Sequence, residues 1–136
     1  MAEHTPGENP HFRQLGGENA VRSLVDLFYA RMDQNPAYAD IRKLHPADLS
    51  GSASKLFWFL TEWTGGPKHF SERIGPPALR RRHLSFPIGI REKNQWLACM
   101  QQAMNDAGVE TALQAELLHA LAKTADFLRN QNEAET

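Results

Sequence analysis

The chain is poor in cysteine, in net charge and in long apolar runs, and each shortage excludes a class of protein. A single cysteine, Cys99, stands among 136 residues, so no intramolecular disulfide framework and no cysteine-built zinc or iron–sulfur site is possible. That usage points to a reducing compartment, and a cytoplasmic location is expected. The 15 basic and 16 acidic side chains leave a formal net charge of -1, which argues against nucleic acid as a partner. No apolar run approaches the ~20 residues that cross a bilayer, so no membrane partner is expected. Met1 to Asn9 is polar throughout, which predicts no signal peptide. No glycine-rich phosphate loop or nicotinamide fingerprint is found. His4, His11, His69 and His119 show no spacing that suggests a zinc site. No segment alternates apolar and polar residues with a period of two, so an all-α domain is expected.

What remains is an ordinary globular composition, 41% hydrophobic and 23% charged, which disfavours wholesale disorder. The length suits one domain. We expect an N-terminal arm over residues 1–12, a folded domain over 13–130 and a polar tail over 131–136. Gly16-Gly17 interrupts the chain before a helix from Asn19 to about Gln34, whose apolar face carries Val21, Leu24, Val25, Phe28 and Met32. Asn35-Pro36 ends it, a short helical piece spans Ala37 to Leu44, and His45-Pro46 stops that piece. The next helix starts near Ser50 to Ser52, with the serines as caps, and presents Leu56, Phe59, Leu60 and Trp63. Gly65-Gly66-Pro67 stops it. An irregular stretch to about Leu79 follows, of a length that tends to be functional, and then a helical turn over Arg80 to His83. Two long helices, Arg91 to Ala107 and Glu110 to about Asn130, close the sequence.

His83 follows Arg80-Arg81-Arg82 and precedes Leu84, Phe86 and Ile88. A neutral imidazole binds metal, and neighbouring guanidinium groups face carboxylates. Haem presents both targets, an iron and two propionates. The alternative is a surface histidine in a basic, solvated turn. Trp96 is either a core tryptophan or an indole stacked on a flat cofactor with its N–H offered to a ligand. Tyr29, at the edge of the first apolar stripe, either aims its phenol inward or reaches water. Lys55 is either a cation at a pocket edge or a solvated one. Cys99 reads as an inert core thiol.

Taken in order, these features resemble the truncated haemoglobins, and within them group II. The matching pieces are Leu15-Gly16-Gly17, Phe28-Tyr29, Leu44-His45-Pro46 with Asp48-Leu49, and Phe59-Leu60 running into Trp63-Thr64-Gly65-Gly66-Pro67. Arg80-x-Arg82-His83-x-x-Phe86-x-Ile88 and Trp96-Leu97-x-Cys99-Met100 complete the set. The likeness covers about Phe12 to Leu128, and the arginine–histidine stretch with the tryptophan beyond it is the specific part.

The resemblance implies a globin-like two-over-two helical sandwich around haem b. His83 aligns with the proximal iron ligand, Tyr29 with the distal tyrosine and Trp96 with the tryptophan that marks the group. Ser52, Leu56 and Phe59 align with distal positions, Lys55 and Arg82 with cations near the propionates, and Phe86 with a contact on the proximal side. His45 stands where relatives commonly carry Tyr or Phe, and sometimes histidine; it is a further candidate for the distal side, able to donate, accept or carry charge near neutral pH, so a tyrosine-pair chemistry is not carried over. No distal histidine or glutamine gate is expected on the helix that carries Ser52. The implied activity is reversible binding of O2, NO or CO at a five-coordinate haem iron, with release slowed by hydrogen bonds from Tyr29 and Trp96. Peroxide reduction or nitric oxide dioxygenation is the enzymatic alternative, and either needs an external reductase. A cofactor-free helical interaction domain is the third reading. A monomer or homodimer is expected.

Overall fold

The computed structural model describes residues 10–130, and every regular element among them is helical. The elements are α1 (His11–Leu15), α2 (Glu18–Gln34), a single 3-10 turn (Pro36–Tyr38), α3 (Ala39–Arg42), α4 (Ser50–Trp63), α5 (His69–Arg73), α6 (Leu79–His83), α7 (Ile90–Asp106) and α8 (Thr111–Phe127). Helix α2 packs on α4, α7 packs on α8, and the two pairs meet through α2 and α7. This is the two-over-two arrangement expected.

The core lies where the apolar stripes of these four helices meet. Phe28, Met32, Met100, Met104 and Leu117 are its largest fully buried side chains. Each such burial stabilises the fold by roughly 1.5–3 kcal/mol relative to exposure. Cys99 is also completely buried, its thiol donating to the Phe28 carbonyl at 3.3 Å. Burial pushes that thiol up to about 12, the value of an inert core cysteine.

Three local expectations are revised. Helical order starts at His11 rather than after Phe12. The Phe12 N–H donates to the Thr64 carbonyl at 2.8 Å and its ring packs against the core, so this residue is tied down. The rest of the expected arm, residues 1–9, and the tail, residues 131–136, lie outside the described residues. The serines do not cap α4. Its cap position is Leu49, and the Asp48 side chain accepts from the Ser50 N–H at 2.9 Å, a local turn that serves instead. The stretch from Pro67 to Leu79 is not wholly irregular, because α5 occupies its middle. Glu62 holds the α5 segment, accepting from the Ser71 N–H at 2.8 Å and from the Ser71 hydroxyl.

The double glycine is required by geometry. Gly16 closes α1 at φ +115°, a left-handed conformation that costs glycine nothing, and its N–H and that of Gly17 return to the Arg13 and Phe12 carbonyls.

Candidate functional site

The site is assembled from α2, the turn after α3, α4, α6 and α7. Helix α6 brings His83 to its last position, where the ring is half-buried. His83 Nδ1 lies 2.7 Å from the Leu79 carbonyl oxygen, one helical turn back. A carbonyl only accepts, so Nδ1 carries a proton, and in the neutral ring Nε2 then holds the lone pair. This is how a metal-binding imidazole is set in tautomer and orientation.

The turn carrying His45 is built the same way. His45 Nδ1 donates to the Ile41 carbonyl at 2.8 Å, again leaving Nε2 as an acceptor. Arg42 clamps this turn: Nε donates to Asp33 at 2.9 Å, and its two terminal nitrogens donate to the Pro46 and Ala47 carbonyls at 3.1 Å. Gln95 of α7 anchors α3 by accepting from the Ile41 N–H at 3.2 Å and donating to Asp40 at 2.8 Å. Burial, then the Arg42 and His83 charges, push the His45 pKa below its ordinary 6.5, against the opposing effect of the Ile41 bond.

Tyr29 is buried on α2, not water-facing. Its ring meets Phe28 edge-on at 5.0 Å and His45 edge-on at 5.7 Å. Its hydroxyl donates to the Ser52 carbonyl of α4 at 3.4 Å, longer than the ~2.7–2.8 Å of a good O–H···O bond. Burial raises the phenol pKa far above 10, so the O–H stays a donor at any ordinary pH. Trp96 of α7 is half-buried, its ring 5.1 Å from Phe28. Its indole N–H makes no hydrogen bond among the described residues. Leu56 and Phe59 are partly buried against the core. Phe86 is 40% exposed with its ring 6.5 Å from that of His83, and Leu84 is 58% exposed.

The structure thus brings Tyr29 and Trp96 to Phe28, His45 and Ser52 to Tyr29, and Phe86 beside His83. Arg82 Nε and a terminal nitrogen donate to the Pro77 and Pro76 carbonyls at 2.8 and 3.0 Å, and its guanidinium lies 5.5 Å from the Phe70 ring centre. It holds the turn before α6, where Ala78 sits at φ +40°, a left-handed conformation of order 1–3 kcal/mol above the ordinary regions for a residue with a Cβ. Arg80 donates to the Phe127 carbonyl at 2.7 Å. Lys55 is exposed on α4 and makes no ion pair among the described residues. Sequence reading missed one residue of this region, Asn130, whose side chain binds the segment after His83 from 47 positions away.

These features fit haem. An imidazole with its Nδ1 tied to a carbonyl stands beside a partly exposed aromatic side chain, and a buried phenol and an indole N–H meet at Phe28. Such a donor set on an all-helical, two-over-two frame defines a globin.

Comparison with known proteins agrees. The family model for Bacterial-like globin matches residues 11–130. Group 2 truncated hemoglobin YjbI of Bacillus subtilis (strain 168) is 40% identical over 119 residues, covering 88% of each chain. The Group II 2-on-2 hemoglobin of the plant pathogen Agrobacterium tumefaciens superposes with a TM-score of 0.88 at 37% identity, over 97% of this chain and 100% of that one. The truncated oxygen-avid haemoglobin of Bacillus subtilis gives a TM-score of 0.81 at 37% identity, over 88% and 98%. The chain belongs to the bacterial-like globins, as a truncated haemoglobin of group II. Membership of that family implies haem binding. No helix among the described residues is long and apolar enough to cross a membrane.

Proposed function

We propose that this chain holds haem b through His83 Nε2 and binds O2, NO and CO reversibly, without a second protein ligand to iron. The observation that carries the reading is the 2.7 Å bond from His83 Nδ1 to the Leu79 carbonyl, which reserves Nε2 for metal. When bound, haem would supply a ferrous iron able to take a diatomic ligand.

The chain's own residues do the rest. The Leu79 carbonyl orients the imidazole and fixes its tautomer. Leu56, Phe59, Trp96 and Phe86 provide apolar walls that exclude water. Tyr29 O–H and Trp96 N–H are the donors offered to a ligand that gathers negative charge, and Tyr29 has only a long bond to Ser52 to give up. Neutral His45 has committed its proton to Ile41, so near neutral pH it accepts rather than donates. Lys55, exposed on α4, is the cation assigned to a propionate, and Arg82 contributes by holding the turn that presents His83. A hydrogen bond to a charged group contributes roughly 1.5–3 kcal/mol, so Tyr29 and Trp96 together slow ligand release by about a hundredfold or more.

The test is an absorption spectrum of ferric, ferrous and CO-bound protein, for wild type and His83→Ala. Wild type should give a five-coordinate ferrous spectrum, and H83A should fail to retain haem. A wild-type preparation that stays colourless after adding haemin overturns the reading, and an unchanged spectrum in H83A removes His83 as ligand. Turnover above free haemin with a reductant would extend the activity to peroxide reduction or nitric oxide dioxygenation.

A further inference from the structure

We infer that Asn130 is a positioning residue for the iron-binding imidazole, acting through the backbone between α6 and α7. The inference rests on the assignment of His83 as ligand. Four hydrogen bonds support it. The Asn130 N–H donates to the Ile88 carbonyl at 2.8 Å, and the Ile88 N–H donates back to Asn130 Oδ1 at 2.9 Å. The side-chain Nδ2 donates to the His83 carbonyl at 3.2 Å and to the Phe86 carbonyl at 2.7 Å. One residue therefore satisfies four backbone groups of the six-residue run His83 to Ile88, three through its side-chain amide and one through its own N–H.

This run has no regular structure to hold it. It leaves α6 at His83 and enters α7 at Ile90, and within it the Phe86 N–H returns to the His83 carbonyl at 3.0 Å. Leu84 and Phe86 are largely exposed, so apolar packing anchors it weakly. Helix α6 itself is only five residues long, too short to be stable without tertiary support. A second tie from the same C-terminal stretch reinforces the first: the Phe127 carbonyl accepts from Arg80 at 2.7 Å, and the Arg80 guanidinium lies 5.6 Å from the Phe127 ring centre. Phe127 at the end of α8 thus grips α6 at Arg80, and Asn130 just beyond it grips the α6 exit at His83, Phe86 and Ile88.

Asparagine suits the task by its atoms. It offers one acceptor and two donor hydrogens in a plane, on a side chain short enough for its own backbone N–H to join in. Aspartate is isosteric and keeps the acceptor for Ile88. It replaces the donor nitrogen with an anionic oxygen that repels the His83 and Phe86 carbonyls. Asn130→Asp therefore removes the His83 arm and retains the Ile88 arm.

The experiment uses the full chain loaded with haem, as wild type, Asn130→Ala, Asn130→Asp and, for comparison, Gln114→Ala. Gln114 makes the same kind of amide clamp elsewhere, donating to Asn105 at 3.0 Å and to the Val109 carbonyl at 2.9 Å at the α7–α8 turn. Haem transfer to excess apomyoglobin should be about tenfold faster in N130A and N130D, the scale of two lost backbone hydrogen bonds. The iron–histidine stretching band of the ferrous form should shift or broaden in both variants and stay in place in Q114A, however much Q114A lowers the melting temperature. Amide hydrogen exchange at Ile88 in the haem-free chain should quicken in N130A, a readout that needs no haem. Unchanged haem loss and an unmoved band in N130A and N130D overturn the inference, as does an equal band shift in Q114A. If wild type itself takes no haem, the ligand assignment fails, and unchanged Ile88 exchange in N130A then rejects the clamp on its own terms.

Discussion

Replacing Tyr29 by Phe separates what the phenol does for the fold from what it does for a ligand. The side chain is 8% exposed, and its hydroxyl has one partner, the Ser52 carbonyl at 3.4 Å. A bond that long falls at the weak end of the roughly 0.5–1.5 kcal/mol that an ordinary intramolecular hydrogen bond contributes. Ser52 lies inside α4, so its carbonyl keeps its place in the helix ladder when the phenol goes. In the other direction, removing a poorly matched buried hydroxyl relieves a desolvation cost of about 1–3 kcal/mol. These two effects oppose each other. The haem-free variant should therefore differ from wild type by less than about 1 kcal/mol, or less than about 4 °C in melting temperature. Ligand release behaves otherwise. A donor aimed at a ligand with partial negative charge contributes roughly 1.5–3 kcal/mol, so O2 release from the ferrous variant should be about 10- to 150-fold faster. Stopped-flow displacement of O2 by CO measures the second quantity, and thermal melting of the haem-free chain the first. A large loss of stability with unchanged O2 release would show the hydroxyl to be structural and refute the reasoning.

Two further outcomes are expected. A Cβ on Gly66 would sit 2.7 Å from two carbons of the Phe12 ring, so Gly66→Ala should cost about 1–3 kcal/mol in urea unfolding, and an unchanged midpoint would mean α1 yields freely. His45 has a folded pKa below 6.5, so the unfolded chain takes up its proton first as pH falls. Its contribution is complete above 6.5 and is lost as pH drops from there towards the folded pKa. His45→Gln should flatten that part of the stability–pH curve, and equal slopes in variant and wild type would contradict the shift.

Much of the frame was legible because helical spacing is local. Val21, Leu24, Val25, Phe28 and Met32 mark one face of α2 in the sequence, and all five are buried there. His83 and Trp96 were legible as residue types in an order, and the helix that carries His83 places Leu79 where an i–4 carbonyl must be. Contacts across the fold were not legible. Nothing in the sequence near Arg82 says that its guanidinium turns back to Pro76 and Pro77. Periodicity put Tyr29 at a stripe edge without saying that α4 would offer it Ser52. The α4 cap was misassigned because serine and aspartate compete for that role, and Asp48, two residues before Ser50, supplies the turn. Asn130 carries no motif at all, since its meaning depends on the segment between α6 and α7, far away in sequence.

The bonds from Asn130 to the His83 segment join positions 47 apart, which gives the protein a timetable. Ribosomes add roughly 5–20 residues per second, so about 2–9 s pass between making the imidazole and making the amide that steadies it. All the residues of the turn that sets the His83 tautomer exist once His83 follows Leu79 into the chain, but five residues of helix hold only when later segments pack on them. A nascent chain therefore carries its metal-seeking imidazole early and gains its fastening last. A transcript cut a single codon short of Asn130 would yield a chain that never finishes the fastening.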